Sequence, residues 1–110
     1  MDPAPDSDWM RRLADALKGH DQVDRLICGH VHRPFTGHFA GRTVCVSPAT
    51  DIQLTLDLTH VDKNVPDGRE ILVEEPPGFS LHAWDGGEIV THFCVAGRYS
   101  SAVTYEFPLD

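Results

Sequence analysis

The 110-residue sequence lacks the features that would identify several broad classes of protein. Its formal net charge is −8 and it has no cluster of lysine or arginine, so its surface would repel a nucleic-acid duplex. It has no apolar run long enough to cross a bilayer. Its first residues, MDPAPDSDW, are acidic and rich in proline, unlike the basic start and apolar centre of a signal peptide. We therefore expect a cytoplasmic protein whose partners include neither duplex nucleic acid nor a membrane.

Cysteine is scarce as well. Cys28, Cys45 and Cys94 are far apart and odd in number, which indicates reduced and mostly buried thiols rather than a disulfide framework. No Cys-x-x-Cys pair is present, which argues against a zinc knuckle. A structural zinc ion stays open as an alternative, with the ligands Cys28, His30, His32 and Cys45.

The pattern of apolar residues predicts one helix followed by strands. Residues 7–18 carry an apolar stripe at helical spacing, formed by Trp9, Met10, Leu13, Ala14 and Leu17. Strands are expected between residues 23 and 58, in VDRLICG, FTGHFAG, RTVCVSP and IQLTLDL. The last of these alternates, with Ile52, Leu54, Leu56 and Leu58 on one side. Residues 59–77 are mostly polar and contain proline and glycine, which predicts a loop.

Gly86 and Gly87 predict a tight turn, so residues 79–95 should form an antiparallel hairpin. One face would carry Phe79, Leu81, Ala83, Val90, His92 and Cys94, and the other His82, Trp84, Ile89 and Phe93. The expected fold is α+β, mostly one mixed or antiparallel sheet with one N-terminal helix. One short helix cannot cover both faces of such a sheet, so part of the cover is missing.

The most informative segment is LICGHVHRPF, in which an apolar strand runs into two histidines one residue apart. On extended backbone, His30 and His32 would project to the same face, about 7 Å apart at their Cβ atoms. They could share one metal ion, or each could hold one of two ions about 3.5–4 Å apart. Gly29 would let the backbone bend there. Taken alone, the motif is a weak signal and is more often explained by two surface histidines at a strand end.

In its context, this segment resembles the last signature of the calcineurin-like metallophosphoesterases, in which Gly-His-x-His follows a strand. Within that superfamily it is most similar to the class III cyclic-nucleotide phosphodiesterases and related glycerophosphodiesterases. In these enzymes an aliphatic strand ends in CGHVHR and a second strand ends in a Ser-Pro loop, here Val46-Ser47-Pro48. The later EEPPGFSLHAWDGG is similar to their C-terminal hairpin. The resemblance covers residues 5–95.

The resemblance implies a fold and a reaction. The fold is a four-layer αββα sandwich, with two sheets inside and helices outside. Two divalent ions, commonly Mn, Fe or Zn, share a bridging carboxylate and a bridging hydroxide, which attacks the phosphorus of a cyclic nucleotide or glycerophosphodiester. By position, His30 would bind one ion and His32 the other. Gly29, Ser47 and Asp51 are candidates for supporting or substrate-side roles, Asp51 as an oxygen donor.

Most of the motifs that would complete the dinuclear metal centre are absent from this sequence. The family's earlier signatures, Asp-x-His, Gly-Asp-x-x-Asp, Gly-Asn-His-Asp/Glu and a lone His often followed by two prolines, do not occur. We interpret residues 1–110 as a single partial domain, the C-terminal half of such a hydrolase, whose own enzymatic activity is uncertain. Two histidines cannot complete a metal shell, so we expect weak or no metal binding and no hydrolysis by this chain alone. Its uncovered sheet face predicts a homo-oligomer, with faces packed together or strands exchanged.

Two other interpretations stay open beside the structural zinc site. A metal-binding β-module of the cupin type also carries H-x-H on a strand, although no glutamate follows His32 in RPFTGHFAGR. The other is a non-catalytic half that oligomerises with, or completes, another chain. Metal content would identify a structural zinc site, and mixing with an N-terminal phosphoesterase half would identify a complementing partner.

Overall fold

The computed structural model describes residues 7–59, 62 and 64–106. Within them it has one helix and seven strands, which confirms the α+β class. In chain order the elements are α1 Asp8–Leu17, β1 Arg25–Cys28, β2 Phe35–Phe39, β3 Arg42–Val46, β4 Gln53–Leu54, β5 Leu72–Val73, β6 Gly78–Trp84 and β7 Ile89–Val95. The strands are divided among three small sheets rather than gathered into one.

Helix α1 forms where the apolar stripe predicts it. Asp8 lies in the first turn, where a carboxylate interacts favourably with the helix dipole. Gly19 follows the helix with a φ of +76°, the left-handed conformation that ends many helices. The Arg42 guanidinium donates to the carbonyls of Leu17 and His20, which ties the end of the helix to β3. The stripe is only partly covered, because half of the Trp9 surface stays exposed.

The first sheet has the order β1-β3-β2, with β1 parallel and β2 antiparallel to β3. The turn between β2 and β3 falls at Ala40 and Gly41, both with positive φ, as a tight two-residue hairpin requires. Strand alternation gives the sheet two faces. The helix-side face includes Leu26, Cys28, Val44 and Val46, and it lines a groove of about 410 Å³ together with Trp9, Met10 and Leu13. The opposite face includes Arg25, Ile27, Thr43 and Cys45.

The predicted strand over residues 52–58 is wrong beyond its first residues. Strand β4 spans Gln53–Leu54 and pairs with β5, which lies inside the predicted loop 59–77. Because β5 is only two residues long, the pairing ends with the amide of Thr55 donating to Ile71. Leu56 and Leu58 are 66% and 91% exposed, so nothing in the described chain buries these two leucines. Residues 60, 61 and 63 of the predicted loop lie outside the described residues.

The predicted hairpin is confirmed, with β6 and β7 paired from Gly78↔Val95 to Trp84↔Ile89. The register places the two sets of side chains on the faces that the sequence indicates. Of the two turn glycines, Gly86 takes a positive φ of 96°. The face that carries His82 lies against the first sheet, since Ser80 donates to Ser47 over 2.9 Å and Cys45 contacts Thr91.

Little of the described chain is buried. The buried side chains are Cys45, Val46 and one polar residue, Gln53, whereas large apolar residues on several elements are exposed. The radius of gyration is 18.4 Å, against about 13 Å for a compact domain of this length. The three cysteines are unpaired, but only Cys45 is buried, so the expectation of mostly buried thiols is wrong. No helix among the described residues is long and apolar enough to span a membrane.

Candidate metal-binding site

The two histidines of the H-x-H motif lie beyond the strand rather than on it. Strand β1 ends at Cys28, and His30 and His32 have φ values of +78° and +60°. The expectation that extended backbone projects both rings to one face is therefore wrong. Left-handed backbone is uncommon outside glycine, although histidine tolerates it better than most residues, and it costs about 1–3 kcal/mol per residue. Two such residues around Val31 mark a tightly bent loop of the kind found at functional sites.

His32 is fixed by the segment that contains β4. Its Nδ1 lies 3.1 Å from the carbonyl oxygen of Ile52, and its own carbonyl accepts the amide of Leu54 over 2.6 Å. A carbonyl oxygen can only accept, so Nδ1 carries the hydrogen in this bond. In the neutral ring, Nε2 then has the free lone pair. Metal-binding histidines are commonly oriented by such a bond from the other ring nitrogen.

The next residue, Arg33, strengthens the same connection. Its Nε donates to the carbonyl of Leu54 over 2.7 Å, and its Nη2 donates to both carboxylate oxygens of Glu75 at 3.0 and 3.2 Å. The Arg33 side chain is mostly buried, so this pair is better shielded than the ion pairs on α1. The guanidinium therefore joins the loop that carries His30 and His32, here called the histidine loop, to β4 and to the segment after β5.

The other predicted site residues are placed differently from one another. His30 is exposed, and its ring makes no hydrogen bond to the part of the chain that the structure describes. Gly29 is also exposed, and a Cβ there would meet nothing within 4 Å. Ser47 is in a structural contact, because its amide donates to Cys28 and its hydroxyl accepts from Ser80. Asp51 is exposed in the bend before β4.

The sequence does not indicate Gln53, a buried polar residue that follows Ile52, whose carbonyl bonds His32. Its Oε1 accepts the amide of Ala49 at 2.9 Å, and its Nε2 donates to the carbonyls of Ala49 and Pro76 at 2.8 and 3.2 Å. In the alternating pattern IQLTLDL this position is expected to face solvent. The partners are backbone groups in two loops, which no periodicity of side chains could have indicated.

The described residues do not by themselves form a metal-binding group. Among residues 7–59, 62 and 64–106, no three His, Cys, Asp or Glu side chains are grouped so that they could hold an ion. The structural zinc alternative is not formed, because Cys45 is buried against Thr91 whereas Cys28 and His30 are exposed. The chemistry of His32 fits a metal ligand, since its Nε2 is left free by the bond at Nδ1. His30 is exposed and so accessible for the same role, but two histidines are fewer than the three or four protein ligands of a typical zinc site.

Comparisons with known proteins extend this description. No family model matches the chain. Over 89 residues it is 35% identical to a protein of Arcobacter nitrofigilis that is named "Probable glycerophosphodiester phosphodiesterase GpdQ". The match covers 80% of this chain and 30% of that protein, so the chain spans less than a third of its relative. The similarity supports the metallophosphoesterase family to which the CGHVHR segment points.

Proposed function

We propose that this chain is the C-terminal part of a dinuclear-metal phosphodiesterase and that His30 and His32 are its metal ligands. The name of the A. nitrofigilis relative supports a glycerophosphodiester as the substrate, with a cyclic nucleotide as the second candidate. The observation that carries the proposal is the bond between His32 Nδ1 and the Ile52 carbonyl. It holds the ring in the tautomer that a metal ligand needs.

Residues in the histidine loop and in the segment before β4 have separate roles in this proposal. The Ile52 carbonyl holds the hydrogen on Nδ1 of His32 and so leaves the lone pair on Nε2. The left-handed conformations at His30 and His32 present both rings beyond the end of β1. When bound, two divalent ions such as Mn, Fe or Zn would lower the pKa of water and neutralise charge on the phosphate. Asp51, exposed in the bend before β4, is the nearest candidate in sequence for an additional oxygen ligand.

The described residues group no further ligands with these histidines, and we propose that the remaining ligands belong to a polypeptide segment outside this sequence. We therefore propose that the isolated chain binds divalent metal weakly and does not hydrolyse phosphodiesters. Its three unpaired thiols are compatible with a reducing compartment, and we place the protein in the cytoplasm.

We also propose that the chain forms a homo-oligomer. Apolar side chains on the outer face of the hairpin, including Phe79, Leu81 and Val90, are about half exposed. The first sheet and the segment after β4 add Ile27, Phe35, Leu56 and Leu58. Large apolar side chains left exposed in this number on a small domain are commonly covered by another chain or another copy.

A chimeric enzyme provides the direct test. This chain would replace the matching 89-residue segment of the A. nitrofigilis protein, and hydrolysis of bis(p-nitrophenyl) phosphate and of a glycerophosphodiester would be measured with added Mn²⁺. We expect metal-dependent turnover from the chimera and none from this chain alone. His30→Ala and His32→Ala should each abolish turnover, whereas His38→Ala, at an exposed position on β2, should retain it.

The outcome separates the main interpretations. A soluble chimera that binds metal but shows no turnover would favour a non-catalytic half. If turnover survives both histidine substitutions, His30 and His32 are not ligands of the metal centre. Metal-dependent turnover by the isolated chain would contradict the proposal that it is incomplete.

A further inference from the structure

We infer that Gln53 is a positioning residue for His32. Gln53 does not contact the His32 ring, but it determines which ring nitrogen is free to bind the metal. The inference rests on the proposed function, because it concerns the ligand role of His32. It comes from the hydrogen bonds of one buried amide and from its place in the chain between the two residues that hold His32.

The Gln53 side chain has almost no freedom. It is 3% exposed, and its amide makes three hydrogen bonds to backbone groups. Two of them close a ring with Ala49, whose amide donates to Oε1 and whose carbonyl accepts from Nε2. The third reaches Pro76. A buried amide that is satisfied in this way has one orientation, since any other would leave buried polar groups unpaired.

The backbone of Gln53 lies directly between the partners of His32. The preceding residue, Ile52, accepts the hydrogen from Nδ1, and the following residue, Leu54, donates its amide to the His32 carbonyl. Any shift of Gln53 therefore moves both anchors of His32 together.

Strand pairing by itself holds this segment weakly. Strand β4 has two residues, and its partner β5 also has two. Within the described residues, the remaining support comes from Arg33 at the Leu54 carbonyl and from the Gln53 amide. The amide also connects the segment to the hairpin, because the Ala49 carbonyl that accepts from Gln53 accepts the amide of Gly78 over 2.8 Å as well.

The tautomer of His32 therefore depends on the buried amide of Gln53. Without the Gln53 amide, the Ile52 carbonyl would lose its fixed position, and Nδ1 of His32 would lose its acceptor. The hydrogen could then occupy Nε2, which blocks the lone pair that the metal requires. Loss of an outer-shell partner commonly weakens metal binding about 10- to 100-fold. Because Gln53 acts through its backbone, we expect the lower end of that range, about 10-fold.

The test compares Gln53→Met with two matched variants of the full chain. Methionine preserves the length of the side chain and removes the amide. Gln22→Met is the same exchange at an exposed site. Arg42→Met removes a different side chain that bonds several backbone carbonyls, at the opposite end of β3 from the Ser-Pro loop. Arg42→Met therefore reports the effect of general destabilisation.

Two quantities would be measured for each variant. The first is the nitrogen that carries the hydrogen in the neutral His32 ring of the metal-free chain, from long-range ¹H–¹⁵N spectra of the imidazole. The second is the dissociation constant for Zn²⁺ alone, from the same spectra during a titration. We expect Gln53→Met to move the hydrogen of His32 toward Nε2 and to weaken zinc binding about 10-fold. Gln22→Met and Arg42→Met should leave the tautomer unchanged.

An unchanged tautomer and zinc affinity in Gln53→Met would overturn the inference, as would an equal change in Arg42→Met. If Gln53→Met does not fold, Gln53→Asn replaces it, since asparagine keeps a neutral amide but is one methylene too short to make all three hydrogen bonds; the same shift is expected. His32→Asn separates this inference from the proposed function. Asparagine retains a donor for Ile52 but has no Nε2, so unchanged zinc affinity in His32→Asn would remove the metal role of His32 itself.

Discussion

Gly78 packs so closely against Pro48 that no larger residue fits between them. A Cβ atom on Gly78 would lie 2.8 Å from Cγ of Pro48 and 2.8 Å from the carbonyl oxygen of Cys94. The amide of Gly78 donates to the carbonyl of Ala49, one residue beyond Pro48. This contact joins the start of the hairpin to the Ser-Pro loop, and through Gln53 to the segment that holds His32.

Replacing Gly78 with alanine should therefore destabilise the protein. Both opposing atoms belong to rigid groups, so the hairpin has to move, and we expect a loss of about 1–3 kcal/mol in the free energy of unfolding. Gly37→Ala is the matched control, since a Cβ there meets nothing within 4 Å and the strand should gain up to about 1 kcal/mol. Urea unfolding of the two variants measures the difference. Equal stabilities would contradict the tight contact.

His32 offers a second test, because its backbone conformation and its ring can be changed separately. His32→Asn tolerates the φ of +60° and can still donate to the Ile52 carbonyl, so its stability should lie within about 0.5 kcal/mol of the parent. His32→Val loses the hydrogen bond and places a β-branched residue in left-handed backbone, which should cost about 2–4 kcal/mol. Thermal unfolding of both variants gives the comparison. If valine were tolerated as well as asparagine, neither the strain nor the bond would contribute to stability.

Local sequence patterns predict the helix and the hairpin, because both are determined by residues close together in the chain. The stripe of Trp9, Met10 and Leu13 produces α1, and Gly86 permits the turn whose register fixes both faces of the hairpin. The alternation in IQLTLDL predicts seven residues of strand, but only Gln53–Leu54 find a partner. Period-two alternation states which side a residue would face and does not supply the neighbouring strand.

The site depended on information that no hydrophobic pattern carries. The CGHVHR segment identifies the histidines, but the left-handed backbone at His30 and His32 follows from the path of the loop. Gln53 shows no signal in sequence, because its three partners are backbone groups of Ala49 and Pro76. A polar residue between two apolar ones is normally expected at the surface, and only tertiary structure buries it here.

Asp85 makes the stability of the hairpin turn depend on pH. Its Oδ1 accepts the amides of Gly87 and Glu88, both at 3.0 Å, and these hydrogen bonds hold the pKa of the carboxyl below its usual range. The stabilisation is therefore complete above the ordinary pKa of aspartate and is lost as pH falls through the lowered pKa. The amide proton shifts of Gly87 and Glu88 should follow this titration, with a midpoint below the ordinary pKa of aspartate. Asp85→Asn should retain the turn and abolish the pH dependence, and a persistent titration there would assign it to another group.

The outer face of the hairpin provides the test of self-association. Phe79, Leu81 and Val90 are 48%, 55% and 44% exposed, and they lie on the face turned away from the first sheet. Burying such side chains against a second copy stabilises the contact by about 25 cal/mol per Å² of apolar surface, so we expect an oligomer at micromolar concentration. Leu81→Asp should shift the protein to a monomer, because a carboxylate would lose its water on association. Val103→Asp adds the same charge at a residue that is 89% exposed and lies outside both the hairpin and the proposed contact surface, and it should leave the oligomer intact. Light scattering after size-exclusion chromatography distinguishes these states, and a parent chain that is monomeric under the same conditions would contradict the proposed homo-oligomer.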